Sequence, residues 1–189
     1  MDAIEAIQRR TSVRRFRPDP ISRETLERLL DASTRAPNHR LTEPWRFAVL
    51  TGGGIARLAE LRAQHRLQRF DDPGSAEALA AGAKMRRETA ETPAVVVVMC
   101  KVSADENTRE EDYAATMMAI GNLMIAAESI GLGTYLKTGG IMREPGMMEL
   151  AGLAPEFRIA GLVSLGIPAE PEVPRKRRPA SELTTWIDR

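Results

Sequence analysis

The residues Arg9-Arg10-Thr11-Ser12-Val13-Arg14-Arg15-Phe16 place four arginines and two hydroxyls in a short run that ends on an aromatic ring. The run follows an amphipathic segment, residues 2–8, in which Ile4 and Ile7 share one helical face. An arginine fork matches the oxygens of a phosphate, and serine or threonine adds a short neutral donor. Taken alone, such a run is a solvated basic turn after a first helix. What gives it meaning is the order of the elements around it.

Working outward, Pro18 and Pro20 interrupt the chain, and Ser22 caps a helix with Leu26, Leu29 and Leu30 at helical spacing. Pro37 ends that helix and leaves residues 35–40 as a polar loop. Trp45, Phe47 and Val49 alternate with Arg46 and Ala48, the pattern of a strand with one buried face, which Gly52-Gly53-Gly54 closes. Residues 55–91 read as two helical pieces separated by Asp71-Asp72-Pro73-Gly74, and their charge density predicts an exposed excursion outside the core.

The continuous run Ala94-Val95-Val96-Val97-Val98-Met99-Cys100 predicts a strand buried on both faces. A polar loop over 101–110 precedes a helix over 111–130 that is nearly apolar all round, ~30 Å long, with Gly131 as its cap. A helix without a polar face is wrapped by other elements or lies in an interface. Strands over 132–137 and 159–167 bracket a short helix opened by Pro145, and an extended proline-rich tail carries Arg175-Lys176-Arg177-Arg178 and a terminal Trp186 that must pack on something. Helices and strands interleave without repeats or a linker, so the expectation is one α+β or mixed α/β domain over residues 1–189, with a central sheet wrapped by helices.

Composition narrows the function. The chain has 189 residues, 43% apolar and 28% charged, and a net charge of +1, which argues against wholesale nucleic-acid binding and for local anion sites. A single cysteine excludes an internal disulfide and a cysteine-based zinc cluster. His39 and His65 are the only histidines, and no metal-binding motif accompanies them. The acidic N-terminal residues are unlike a signal peptide, and no apolar run reaches spanning length, so the expected location is the cytoplasm, without a membrane partner. Gly52-Gly53-Gly54 lacks the dinucleotide fingerprint spacing and reads as a turn.

Five pieces in order carry a resemblance: the basic run 10–16; Arg35-Ala36-Pro37-Asn38-His39 with Pro44-Trp45-Arg46-Phe47; the Ala/Met helix with Leu136-Lys137-Thr138-Gly139; Val163-Ser164-Leu165-Gly166; and Arg175-Lys176-Arg177-Arg178 before Trp186. Together they resemble the FMN-dependent nitroreductase family, its compact bacterial subgroup in particular, over essentially the whole chain. The resemblance implies an intertwined homodimer with FMN at the interface and NADH or NADPH as co-substrate. It also implies ping-pong transfer of reducing equivalents to nitroaromatic, quinone or similar acceptors. Arg10, Thr11 and Ser12 would grip the phosphate and ribityl chain, with Arg14 in support. Arg35 and His39 would reach the same FMN from the other subunit. Leu136, Lys137 and Thr138 would lie along the isoalloxazine ring, and Arg175 and Arg177 near the phosphate. No protein group need act as catalyst, because the cofactor carries the redox chemistry. The competing readings are a basic nucleic-acid-binding protein and an FMN-binding protein without robust turnover.

Overall fold

The computed structural model describes residues 1–171 and 175–188. Helices α1 (Ala3–Arg9) and α2 (Arg23–Ser33) lead to strand β1 (Trp45–Leu50). The helical pair α3 (Gly53–Leu67) and α4 (Ala76–Ala90) precedes β2 (Ala94–Lys101) and the long α5 (Glu106–Ser129). Strand β3 (Gly133–Lys137), the short α6 (Pro145–Leu150) and β4 (Phe157–Gly166) complete the core. All ladders of the four-stranded sheet are antiparallel, in the order β1-β2-β4-β3.

The valine run behaves as its composition predicts. Every residue of β2 except Lys101 is buried, and successive side chains feed opposite cores. Val96, Val98 and Cys100, with Val163 and Leu165 of β4, meet Ile120, Leu123, Met124 and Ala127 of α5 and Leu29 of α2. Val95, Val97 and Met99, with Leu162 of β4, meet Leu50, Ile55, Leu58 and Met147. A register shift between Val98 and Met99, opposite Gly161 and Ile159, lets β4 serve both layers.

That second layer corrects the reading of residues 55–91. Helix α3 is no excursion: it buries Ile55, Leu58, Ala59 and Ala63 and so covers one face of the sheet. Its charges fall between these positions, so overall charge density concealed a narrow apolar stripe. Helix α4 docks on α3 where Gly82 admits Leu67, a place where a Cβ would meet Leu67 Cδ2 at 2.9 Å. Arg86 seals the pair with two bonds to Glu60, at 2.8 and 2.9 Å.

Three further details differ from expectation. Helix α5 starts five residues early, at Glu106 instead of 111, because Asp105 caps it by accepting from the Thr108 N–H at 2.8 Å. It is also polar at three buried points, Asp112, Thr116 and Glu128, and Asp112 accepts from Thr42 Oγ1 at 2.7 Å. Val49 is exposed because β1 is an edge strand, and Ile4, Ile7, Trp186 and Ile187 are exposed as well, at 68, 56, 86 and 88%. Within one chain, the shared face of Ile4 and Ile7 is not covered.

Candidate functional site

The basic run is an extended strap, not a turn. Ser12 bridges Thr134 in parallel, the Val13 N–H donates to the Thr134 carbonyl at 2.9 Å, and Phe16 bridges Pro168. The Arg17 N–H donates to Ile167 O at 2.8 Å and the Ala169 N–H to Arg15 O at 3.0 Å, so the strap lies between β3 and the chain that leaves β4. Thr11, Val13 and Phe16 turn inward while Ser12, Arg14 and Arg15 turn outward. Small residues make this approach possible: a Cβ on Gly133 would meet Val13 Cγ2 at 2.5 Å, and one on Gly166 would meet Phe16 Cβ at 2.8 Å.

The strap forms one side of a cavity of ≈ 530 Å³ that also takes in Glu170 and Arg175. Arg15 is spent on Glu170, Nη1 to Oε1 at 2.7 Å, and Arg14 lies 5.8 Å from the Tyr135 ring centre. Arg10 is different. Its Nη1 and the neighbouring strand's Thr134 Oγ1 are buried polar atoms without a hydrogen-bond partner. A buried donor left unmade costs about 1–3 kcal/mol, but Arg10 is not among the residues lining the strap cavity, so its Nη1 would meet a ligand there only if the side chain turned outward. Thr11, Ser12, Arg14, Arg15 and Arg175 do line it, and hydroxyls with guanidiniums are the donors a phosphate group takes.

The remaining sequence-predicted residues fall into two other places. Leu136, Lys137 and Thr138 line a second cavity of ≈ 410 Å³ at the end of β3, together with Arg62, His65 and Arg66 from α3 and Arg69 from the turn after it. Burial, then the nearby Arg62, lower the Lys137 pKa to about 7, with Glu88 acting in the opposite sense. Arg177 is exposed on the tail and is not among the residues lining the strap cavity.

Arg35 and His39 lie at the far corner of the sheet. From the strap to β1 is four strand spacings, and Trp45 is six residues along from the level of Ser12. At ~4.8 Å per strand and ~3.3 Å per residue, that separation is roughly 25 Å. Arg35 is exposed, and His39 Nδ1 bonds Glu111 Oε2 at 2.7 Å. The loop between them and β1 holds Arg40, Leu41 and Glu43 at φ of 56, 53 and 42°, left-handed backbone that side chains disfavour. The loop is pinned there by Asn38 Oδ1, which accepts from the Glu43 N–H at 3.0 Å, and by Thr42 on Asp112. Leu41 is left 81% exposed. Backbone strain of this kind persists where surrounding contacts over-determine it and gathers at functional loops.

Comparison with known proteins identifies this arrangement. A family model described as the Nitroreductase family matches residues 7–167. The chain belongs to that family. It is 29% identical over 182 residues to the Bacillus subtilis protein named Putative NAD(P)H nitroreductase YfhC, spanning 96% of this chain and 92% of that one. The crystal structure of a nitroreductase-like family protein from Bacillus cereus superposes with a TM-score of 0.85 at 29% identity, over 100% of this chain and 97% of that one. The FMN and NADPH-dependent nitroreductase NfnB of a Sphigopyxis strain shares the fold, with a TM-score of 0.78 at 20% identity over 99% of each chain. Membership makes the chain an oxidoreductase by family and confirms the α+β expectation.

Sequence reasoning missed Arg62, Arg66 and Arg69 at the second cavity, and Thr134 and Tyr135 at the strap. The signal for the arginines was present as a repeat of three and four residues along α3 and the turn after it. It was hidden because the helix had been read as solvent-facing. Among the described residues, no helix is long and apolar enough to cross a membrane.

Proposed function

We propose that this chain is an FMN-dependent oxidoreductase that takes electrons from NADH or NADPH and passes them to nitroaromatic, quinone or similar acceptors. The observation that carries the reading is the strap cavity lined by Thr11, Ser12, Arg14 and Arg175, with the unpartnered Arg10 Nη1 buried at the start of the same strap. A phosphate monoester brings about two negative charges and three acceptor oxygens, which such a donor set matches. Arg10, Thr11 and Ser12 would hold the phosphate and ribityl chain, with Arg14 and Arg175 contributing positive charge and Arg177 flanking them on the tail. The names of similar proteins, which include NAD(P)H nitroreductase and FMN and NADPH-dependent nitroreductase, support the same cofactors.

FMN, when bound, supplies the hydride acceptor and donor of the redox step. The chain's contribution is electrostatic and positional. The end of β3 would run along the ring system, Leu136 and Thr138 bounding it. Lys137 would place a cation where negative charge develops during reduction. Donor and acceptor would then share one cleft in turn, the basis of a ping-pong cycle.

Arg35 and His39 cannot serve the strap of their own chain across roughly 25 Å of sheet. They would complete the site of a second copy in a homodimer, which would also cover the exposed Ile4, Ile7, Trp186 and Ile187. Most such assemblies are two-fold symmetric, giving two equivalent sites. The deciding experiment is the absorbance spectrum of the purified protein, followed by anaerobic titration with NADH and with NADPH and by light scattering. A yellow dimer bleached by either nicotinamide is expected. A colourless protein, or one that co-purifies with nucleic acid in place of flavin, overturns the proposal.

A further inference from the structure

Arg62, His65 and Arg66 share one face of α3, and Arg69, in the turn that follows Leu67, comes three residues after Arg66. That face forms a wall of the ≈ 410 Å³ cavity, and Leu136, Lys137 and Thr138 form another. Five permanent or potential cations therefore converge on a space large enough for a small aromatic ligand.

Their lack of counter-charge is unusual for this helix pair. Elsewhere on α3, Arg57 lies 3.7 Å from Glu149, and Glu60 lies 2.8 Å from Arg86. At the cavity, Glu144 is held by His65 Nδ1 at 2.7 Å, and among the described residues no carboxylate lies within 4 Å of Arg62, Arg66, Arg69 or Lys137. Arg62 Nη1 donates to Thr89 Oγ1 at 2.7 Å, and Arg66 stacks 5.1 Å from the Phe70 ring centre, so both guanidiniums are oriented without a contact ion pair. The cost registers in the site: burial lowers the pKa of Arg62, and burial followed by Arg62 lowers that of Lys137. Glu88 offsets part of this cost for both, and cations that outnumber their acids are further stabilised by an anion that enters from solvent.

We infer that this cavity is an oxyanion subsite, in which Arg66 and Arg69 grip a carboxylate, sulfonate or phosphate group while Arg62 and Lys137 supply charge from within. The group would belong to a redox partner seated over the end of β3, an assignment of source that rests on the flavoprotein reading above. Two molecules carry such a group there: an aromatic acceptor bearing an acid, and NADPH with its 2′-phosphate.

Calorimetry on the protein as purified tests the subsite without turnover, using benzoate, benzamide and inorganic phosphate as probes. Benzoate is expected to bind about tenfold or more tighter than benzamide, as charge-assisted contacts imply. Arg66→Gln/Arg69→Gln should abolish that preference and weaken phosphate, while Arg66→Lys/Arg69→Lys retains part of both. Arg69→Gln alone, at an exposed position, keeps the test open should the double variant misfold. Turnover then assigns the source. A fall of about tenfold in the 4-nitrobenzoate to nitrobenzene ratio of kcat/KM in the glutamine variant marks an anionic acceptor. The same fall in the NADPH to NADH ratio marks the 2′-phosphate. A colourless protein that binds benzoate through Arg66 and Arg69 keeps the subsite and overturns the flavoprotein reading. A yellow, active protein in which the folded variants bind benzoate and phosphate like wild type overturns the subsite alone.

Discussion

The two edges of the sheet handle charge in opposite ways. At the β3 edge, the strap brings arginines onto the sheet and leaves Arg10 Nη1 buried without a partner, while Arg62 and Arg66 of the α3 stripe beside β3 have no carboxylate in ion-pair contact among the described residues. At the β1 edge, the chain answers its own polar groups: His39 bonds Glu111 at 2.7 Å and Thr42 bonds Asp112 at 2.7 Å. The first edge stores unmet electrostatic demand, which a ligand can satisfy. The second spends its hydrogen bonds on holding a strained loop in shape. A binding surface and a positioning surface can thus be told apart by where the partners are missing, more than by where the charges are.

If that distinction holds, the β3 edge should dominate cofactor affinity. Arg10→Ala removes a charge-assisted contact of about 1.5–3 kcal/mol and should weaken FMN tenfold or more, measured by flavin fluorescence titration. Unchanged affinity in a folded variant would erase the contrast. The strap's geometry should matter nearly as much. Gly133→Ala pushes a methyl against Val13 and should cost about 1–3 kcal/mol in urea unfolding, with weaker FMN binding as the strap shifts.

Mixing variants sharpens the comparison, because it asks whether the two edges meet across a dimer. Arg10→Ala homodimers and Arg35→Ala/His39→Ala homodimers would each carry two damaged sites. A heterodimer would carry one intact site and one doubly damaged site, so about half of wild-type activity per heterodimer is expected. Heterodimers without recovery would return both edges to a single subunit or remove the loop from the site.

The pH dependence probes Lys137. Its folded pKa lies at about 7, below the ordinary 10.5, so in the ligand-free protein the unfolded chain binds more protons between those values. Stability should therefore rise with pH across that window as the buried ammonium's penalty is relieved, and Lys137→Met should flatten the rise. Burial and Arg62 on α3 set this behaviour, with Glu88 on α4 opposing them; His65 and Arg66 on α3, Arg69 in the turn after it and Tyr135 on β3 line the same cavity. Anion binding should weaken over the same rise in pH, since it favours the charged form. The smallest effect belongs to the β1 edge. Glu111→Gln alters a hydrogen bond to His39 whose side chains are 57 and 49% exposed, and exposed contacts of this kind contribute about 0.2–1 kcal/mol. Thermal unfolding should barely change, and a large loss would show that the edge is not self-contained.

Much of this architecture was legible in the residues themselves. An unbroken Val95–Val98 run can only be a strand covered on both sides, and Asp71-Asp72-Pro73-Gly74 can only separate two helices. The order of the basic run, the Pro-Trp loop and the Lys137 strand end pointed to the family that residues 7–167 match. These are local properties: period, capping and turn chemistry act within a few residues and are written in them.

Tertiary structure alone decided which surfaces meet. The narrow apolar stripe of Ile55, Leu58, Ala59 and Ala63 became visible only once a sheet face was there to receive it. The arginines on the adjoining face of α3 then became a cavity wall instead of a solvated surface. Helical spacing shows that Arg62 and Arg66 share a side, but not that Lys137, sixty-eight residues beyond Arg69, faces them. Neither could the strap's spacing show that Arg10 would lose water without gaining a partner. Both depend on desolvation, a property of the space between elements distant in sequence, and that space exists only after the chain has folded.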